Sequence, residues 1–104
     1  MGLVKEVYLL ASEFPVDEKY GLSSQIKRSA VSVPSNIAEG AGRGSNKDFS
    51  RFLKIAFGSC YELETQMILA FDLKMISDNN LENINNTISE VQKMLHGLIK
   101  SLDC

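Results

Sequence analysis

The chain has 104 residues, of which 44 % are hydrophobic and 23 % charged, a composition that fits one soluble domain spanning residues 1–104. No apolar run approaches the ~20 residues that span a bilayer, and neither end carries a cleavage or lipidation motif, so the predicted location is the cytoplasm. The net charge of -2 at pH 7 excludes a generally basic nucleic-acid binder, so any such function depends on where the cations lie.

The first apolar series predicts a short amphipathic helix over about residues 2–13. Its apolar positions are spaced 4, 3 and 4 residues apart, as on one face of a helix: Leu3, Val7, Leu10 and Phe14. Pro15 ends this helix because the residue before a proline avoids helical geometry. We expect a connection from there to Gly21.

The second predicted helix carries two stripes that run through Pro34. One stripe is apolar: Leu22, Ile26, Ala30, Val33, Ile37 and Ala41. The other is polar: Gln25, Arg28, Ser32, Asn36, Glu39 and Arg43. Such regular stripes predict one helix that is kinked at Pro34, because the proline leaves the Ala30 carbonyl without its usual partner. Two helices with a break at residues 32–35 are the alternative.

A glycine-rich corner at residues 40–44 ends the second helix, since glycine readily adopts the left-handed C-terminal conformation. Ser45 or Asn46 can cap a third helix that runs to about Ile76. Its core positions are Phe49, Phe52, Leu53, Ala56, Cys60, Leu63, Met67 and Ala70. Further apolar residues off this seam are typical of a helix that buries a second side in a partner: Ile55, Ile68, Leu69, Leu73 and Ile76.

The fourth helix has the most regular pattern. After a predicted turn at residues 78–80, apolar residues follow a strict heptad seam: Leu81, Ile84, Ile88, Val91, Leu95, Leu98 and Leu102. No stretch shows the alternation of a strand. Four helices joined by short turns predict an all-α, antiparallel up-down-up-down four-helix bundle.

The sequence offers no catalytic or metal centre. His96 is the only histidine, and Lys93 occupies the position where a bundle di-metal site needs a glutamate. The serines have no histidine base with an assignable partner. The GAGRG stretch follows a helix and lacks the ending of a phosphate-binding loop. We therefore predict no enzymatic activity, no catalytic residue, no metal and no cofactor.

Cations concentrate around the glycine-rich corner. Lys47, Arg51 and Lys54 are spaced 4 and 3 residues apart, so they share one face of the third helix. Arg43 stands nearby, and Lys27 and Arg28 approach along the second helix if the bend allows. Such a face can neutralise phosphates and release counterions, although a merely solvated charged face is the alternative.

Two pairs of charged residues can be interpreted from their spacing. Glu39 and Arg43, four residues apart, form either a helix cap or a polar surface presented at the corner. Glu62 and Glu64 are two residues apart and point in different directions, so they cannot form a carboxylate dyad. Glu64 lies near the core seam, where an unpaired charge is costly. We predict that it pairs with a cation from another helix or subunit, with Arg28 and Arg51 as first candidates.

Three stretches resemble the bacterial four helix bundle protein family, which is associated with open reading frames in intervening sequences of 23S ribosomal RNA: FPVDEKYGL, QIKRSAVSVPSNIAEGAGRGS and FSRFLKIAFGSCYELETQ. The resemblance covers about residues 14–76, and the fourth helix matches by pattern only. The chain is also similar to the accessory protein of diversity-generating retroelements.

This resemblance implies a four-helix protomer that assembles into a ring-shaped homopentamer with a basic surface for RNA or DNA. In the retroelement relatives the partner is a reverse transcriptase together with its RNA. The family's motif is basic at the positions of Arg28, Arg43 and Arg51. Its polar positions are matched by Asn36, Glu39, Gly40, Ser59, Glu62 and Glu64. No enzymatic activity comes with the resemblance.

The leading hypothesis is a non-enzymatic homo-oligomer that binds structured RNA or a nucleoprotein. The side chains expected to make these contacts are Arg28, Arg43, Lys47, Arg51 and Lys54. A ring would repeat this patch around an axis, so a modest patch could bind by multivalency. The alternative is a protein–protein scaffold or adaptor that has no direct nucleic-acid contact.

Overall fold

The computed structural model describes residues 2–15 and 21–103. Its helices are α1 (Gly2–Ala11), α2 (Leu22–Ala41), α3 (Asn46–Asp72) and α4 (Asp78–Asp103). Most of the predicted connection between the first two helices, residues 16–20, lies outside the described residues. Within the described ranges there is no strand, and no helix there is long and apolar enough to cross a membrane.

The helices pack as the predicted antiparallel four-helix bundle. α3 packs against both α2 and α4, and α1 packs against the same two helices. Contacting residues run in opposite directions along each pair of neighbouring helices. Between α2 and α3 the contacts are Ser29 with Glu62 and Ser32 with Ser59. Between α3 and α4 they are Ser50 with Asp103 and Phe57 with His96. Each neighbour of α3 is therefore antiparallel to it.

The predicted apolar seams form the core. The fully buried positions of α3 and α4 are Leu53, Ala56, Cys60, Leu63, Met67, Ala70, Ile84, Ile88 and Leu95. On α1 the buried residue of the third turn is Ala11 rather than the predicted Leu10, which is only partly buried. Each fully buried Leu or Ile side chain contributes about 1.5–3 kcal/mol, so this core is the main source of stability.

α2 is one helix across Pro34, so the alternative of two helices with a break at residues 32–35 is wrong. The Asn36 side-chain amide donates to the carbonyl and hydroxyl oxygens of Ser32 at 2.8 and 2.9 Å. These bonds span the turn that contains the proline and so reinforce the helix where a backbone donor is missing. The kink itself stays a prediction.

Two glycines and a serine form the corner between α2 and α3. A Cβ at Gly40 would lie 2.7 Å from the Cβ of Phe52, so the two helices approach too closely there for any larger residue. Gly44 has a φ of +86°, which other residues rarely adopt. The Ser45 hydroxyl then accepts a backbone N–H of the first turn of α3 at 3.2 Å and caps it, as predicted.

The predicted end of the third helix is wrong. α3 ends at Asp72, four residues before Ile76, because Lys74 takes a φ of 62°. The N–H groups of Lys74 and the next residue bond back to the carbonyls of Phe71 and the residue before it, at 2.9 and 2.8 Å. This is a Schellman motif with lysine in the usual place of glycine, so no glycine in the sequence marks it.

Two other boundaries also differ from the prediction. Residues 78–80, predicted as a turn, are the first turn of α4. The Ser77 hydroxyl accepts the N–H of Asn80 at 3.1 Å, so a serine cap starts the helix three residues earlier than the apolar seam does. α1 ends at Ala11, two residues before the predicted end.

Candidate nucleic-acid interface

The α2–α3 corner gathers two arginines around one phenyl ring. The guanidinium carbons of Arg43 and Arg51 lie 5.0 and 4.6 Å from the Phe52 ring centroid. Two nitrogens of Arg43 also contact Glu39 Oε2, at 3.1 and 3.0 Å, so the predicted pair is formed. Arg51 Nε lies 3.9 Å from Asp48. Both ion pairs are about half exposed and contribute at most about 1 kcal/mol, so an incoming anion can compete for these guanidiniums.

The two lysines of the predicted cationic face have different surroundings. Lys47 makes no ion pair with any residue in the ranges that the structure describes. Lys54 Nζ lies 3.0 Å from Asp103 Oδ2, and Asp103 Oδ1 accepts the hydroxyl of the buried Ser50 at 2.6 Å. The bonds from Ser50 and Lys54 hold the Asp103 pKa below its ordinary value, because both favour the ionised carboxylate. Lys54 is thus engaged within the protomer.

The structure does not bring Arg28 to this corner. A continuous α2 separates residue 28 from the helix end by more than three turns, or roughly 20 Å. Arg28 instead lines a polar cavity of about 190 Å³ between α2 and α3, together with Gln25, Ser29, Glu62 and Gln66. The predicted nucleic-acid-binding set therefore divides into a corner group and one distant arginine.

A chain of hydrogen bonds joins α2 to α3 between Arg28 and the corner. The Ser59 hydroxyl donates to the Ile55 carbonyl at 3.2 Å and meets the Ser32 hydroxyl at 2.8 Å. Because Ser59 uses its proton on Ile55, Ser32 donates to Ser59 and accepts from Asn36. Of the predicted polar positions, Ser59 therefore bonds across the seam to Ser32, and Asn36 holds Ser32 from within α2.

The two glutamates of the predicted polar motif diverge, as their spacing requires. Glu62 is exposed toward α2 and accepts the Ser29 hydroxyl at 3.0 Å. Glu64 is partly buried and makes no ion pair with a described residue, so the predicted pairing with Arg28 or Arg51 inside the protomer is wrong. Two residues rotate a side chain by about 200°, which turns Glu64 away from α2. Pairing with another subunit stays a prediction.

The potentially reactive side chains lie in different surroundings. Cys60 is buried in the core, and desolvation raises the pKa of its thiol to about 11, which leaves it protonated and unreactive at neutral pH. His96 is exposed on α4. Across residues 2–15 and 21–103, no group of three or more His, Cys, Asp or Glu residues could hold a metal ion. This arrangement gives no reason to infer a reaction.

Sequence reasoning missed three residues that organise this surface. The apolar pattern assigns Phe52 to the core seam, whereas its ring also carries the two guanidiniums; its position next to Arg51 is the available signal. Ser50 and Asp103 lie 53 residues apart in the chain, and no local spacing relates them. Their pairing depends on the register between α3 and α4.

Fold and surface together define a small all-α helical bundle with a charged corner and no assembled reactive centre among its described residues. The family described as 23S rRNA-intervening sequence protein matches residues 1–97. The chain belongs to this family, which confirms the resemblance seen in the sequence.

Among the solved structures that match is one that is similar over nearly the whole chain. It is a protein of unknown function from the S23 ribosomal protein family of Bacteroides thetaiotaomicron VPI-5482, determined by crystallography at 1.70 Å. The two chains share 30 % sequence identity with a TM-score of 0.77, and the match covers 94 % of this chain and 98 % of that one. Among curated proteins, none matches the chain.

Proposed function

We propose that this protein is a cytoplasmic, homo-oligomeric RNA-binding bundle whose α2–α3 corner contacts phosphates. The observation that carries the proposal is the pair of guanidiniums on Phe52. Arg43 follows the end of α2 and Arg51 lies in the second turn of α3, yet one ring holds both. A guanidinium presents a planar fork of donors that fits phosphate, and a pre-positioned fork loses less side-chain entropy on binding.

Lys47 supplies a third cation to the same surface. It precedes Arg51 by four residues on α3, so the two side chains are neighbours on one helix face. Each phosphate that a cation neutralises contributes about -0.7 to -0.9 to the slope of log affinity against log salt. Three contacts from Arg43, Lys47 and Arg51 therefore predict a slope of roughly -2 to -3 for each protomer that touches the RNA.

The test is a titration of a labelled RNA stem-loop at several salt concentrations, with the wild type and with the triple variant Arg43→Ala/Lys47→Ala/Arg51→Ala. We expect the wild type to bind with a steep salt dependence and the variant to lose most of both affinity and slope. The control removes the same total charge elsewhere: Lys5→Ala/Lys27→Ala/Lys74→Ala. It should keep the wild-type slope.

Circular dichroism must show that each variant stays folded, because Arg43 and Arg51 also cover Phe52. Absence of wild-type binding at low salt, where electrostatic attraction is strongest, would contradict the proposal. Equal losses in the triple variant and its charge-matched control would show that only net charge matters, not this corner.

The oligomeric part of the proposal is supported by the apolar surface of α3. Four apolar side chains of α3 outside the groove are about half exposed, which is a large apolar area for one helix: Ile55, Ile68, Leu69 and Leu73. A second copy of the chain would remove this area from water, and the family resemblance implies five copies. Light scattering should therefore give five times the protomer mass of 11.5 kDa.

Variants of this apolar surface test the assembly directly. Leu69→Glu/Leu73→Glu should reduce the scattering mass toward 11.5 kDa, because a charged interface would have to be desolvated. Leu9→Glu, on α1 at 60 % exposure, is the control and should keep the wild-type mass. A wild-type mass of 11.5 kDa at micromolar concentration would contradict self-association. The same apolar surface would then support the adaptor function, with a different protein as partner.

A further inference from the structure

A groove between α3 and α4 is lined by different kinds of side chain from the corner. Its volume is about 440 Å³, within the range of small-ligand sites. The residues that line it are Phe57, Tyr61, Ser89, Gln92, Lys93, His96 and Gly97. None of them carries a carboxylate, whereas aromatic rings and cationic or polar groups predominate.

Three rings form the walls of this groove. The Tyr61 ring stands perpendicular to Phe57, with centroids 5.2 Å apart, and the His96 ring lies 6.1 Å from Phe57 at an angle of 35°. Tyr61 is 50 % exposed, although an aromatic ring gains most when it is covered. A flat ligand could stack on these faces.

Gly97 keeps the groove open. A Cβ at this position would meet no atom within 4 Å, so packing does not require glycine. Glycine inside a helix costs about 0.5–1 kcal/mol relative to alanine, so the sequence accepts a local cost at this point. The missing side chain leaves space beside the rings.

Gln92 supplies a polar group without a partner. Its Nε2 atom is buried and forms no hydrogen bond with any described residue. Such a group costs free energy unless a partner reaches it. A ligand that enters the groove can satisfy this amide once the Gln92 side chain turns toward it, while Lys93, which also lines the groove, offers a charge to an anion.

We infer that the α3–α4 groove binds an unpaired nucleobase of the RNA. A base has flat faces for Phe57, Tyr61 or His96 and hydrogen-bonding edges for Gln92, and its phosphate complements Lys93. Lys47 and Tyr61 lie fourteen residues apart, which is two heptads, on one face of α3, so the groove and the corner can contact one strand. The inference rests on the proposed RNA-binding function but concerns separate residues.

The only histidine of the chain gives a direct probe, since its ring protons form an isolated set of NMR signals. At constant pH, adenosine 5′-monophosphate should shift the His96 signals in a saturable way through the ring current of the base. Ribose 5-phosphate carries the same phosphate without a base and should not. The inference would be overturned if no saturable shift appeared up to tens of millimolar nucleotide. It would also be overturned if both ligands gave the same shift.

Gly97→Leu fills the groove and should remove the shift while leaving the thermal midpoint unchanged or raised. The matched control is Gly58→Leu, at another helical glycine where an added Cβ would meet nothing within 4 Å and which lies outside the groove lining. Tyr61→Ala is a second test that does not depend on Gly97. Persistence of the wild-type shift in both Gly97→Leu and Tyr61→Ala would contradict the groove as the site.

A loop RNA separates this inference from the proposed function. Tyr61→Ala should weaken its binding by roughly 5- to 150-fold without changing the salt slope, since it removes stacking rather than a phosphate contact. The corner triple variant should lower the slope yet keep the nucleotide shift. If the RNA fails to bind but the nucleotide shift persists, the proposed function fails and the base site stands. A change of scattering mass in Gly97→Leu would instead identify the groove as a protein contact and overturn the inference.

Discussion

α2 and α3 approach closely at Gly40 and at a pair of serine hydroxyls, whereas α3 and α4 leave a groove lined by aromatic rings. On the α2 side, Gly40 leaves no room for a Cβ, and the Ser32 and Ser59 hydroxyls meet at 2.8 Å. On the α4 side, Gly97 has open space around it and a buried Gln92 nitrogen has no partner among the described residues. The corner half of the α2–α3 seam is closed by complementary contacts, while the α3–α4 seam retains a groove with an unpartnered polar atom.

This difference suggests different roles for the two seams. The contacts at Gly40 and between Ser32 and Ser59 fix the geometry of the corner half of the α2–α3 seam, and the proposed phosphate site lies at the end of this half. Guanidiniums that project from a rigid corner need little rearrangement to bind. The open α3–α4 seam is where a ligand can add contacts that the protomer lacks.

The largest expected effect is at Gly40. Gly40→Ala places a Cβ 2.7 Å from Phe52 Cβ, so the helices must separate, and we expect a loss of about 1–3 kcal/mol in the free energy of unfolding measured with urea. Gly42→Ala is the matched control, because its Cβ would make ordinary contacts at 3.6 Å and its φ of -81° suits any residue. Similar stabilities for the two variants would contradict the closed description of this seam.

The hydroxyl pair across the same seam should give a smaller effect. In a double-mutant cycle, Ser32→Ala and Ser59→Ala should each destabilise the protein by about 0.5–1.5 kcal/mol, with a coupling energy of about 1 kcal/mol because they share one hydrogen bond. Urea unfolding of the two single variants and the double variant measures it. Strict additivity would mean that the hydroxyls contribute independently and that the contact does not hold the seam.

The sequence was sufficient for the number, order and buried faces of the helices, because heptad spacing reports directly on burial. It was not sufficient where a residue adopts a backbone conformation that is unusual for its residue type. Lys74 in a left-handed conformation ends α3, and nothing local distinguishes it from an ordinary helical lysine. Ser77 starts α4 before the first apolar residue, so the apolar pattern alone placed the boundary late.

The candidate site was predicted less completely because it depends on tertiary register. The cluster of Arg43, Lys47 and Arg51 follows from spacing across one corner. Arg28 was placed near it only by an assumed bend, and the continuous helix keeps it distant. The groove at His96 combines side chains of two helices, and neither helix shows it alone.

Gly97→Ala should change stability in the opposite direction from Gly40→Ala. Alanine is the better helix former, and the new methyl group meets no atom within 4 Å, so we expect stabilisation by about 0.5–1 kcal/mol. Urea unfolding in the absence of nucleotide checks this. Destabilisation would mean that glycine is required for packing there, which would remove the contrast between the two seams.

The smallest effect concerns the polar link that closes one end of the α3–α4 seam. The lowered pKa of Asp103 means that its ionised form stabilises the fold above the ordinary value of about 3.9, and that this contribution is lost as the pH falls through the lower folded-state pKa. Thermal melts of wild type and Asp103→Asn should therefore differ at neutral pH and converge once the pH has fallen below the lowered folded-state pKa of Asp103. The control is Asp72→Asn, which changes an exposed carboxylate on α3 without an ion pair to a described residue and should melt like the wild type at neutral pH.

Asp103→Asn also connects this link to the proposed function, because it releases Lys54 from its 3.0 Å contact. Lys54 would then join Lys47 and Arg51 as a further cation on the same face of α3. We expect RNA affinity at low salt to rise, and the salt slope to steepen by about 0.7–0.9. An unchanged slope would show that Lys54 lies outside the RNA contact whether or not Asp103 holds it, and that the phosphate surface ends before the α3–α4 seam begins.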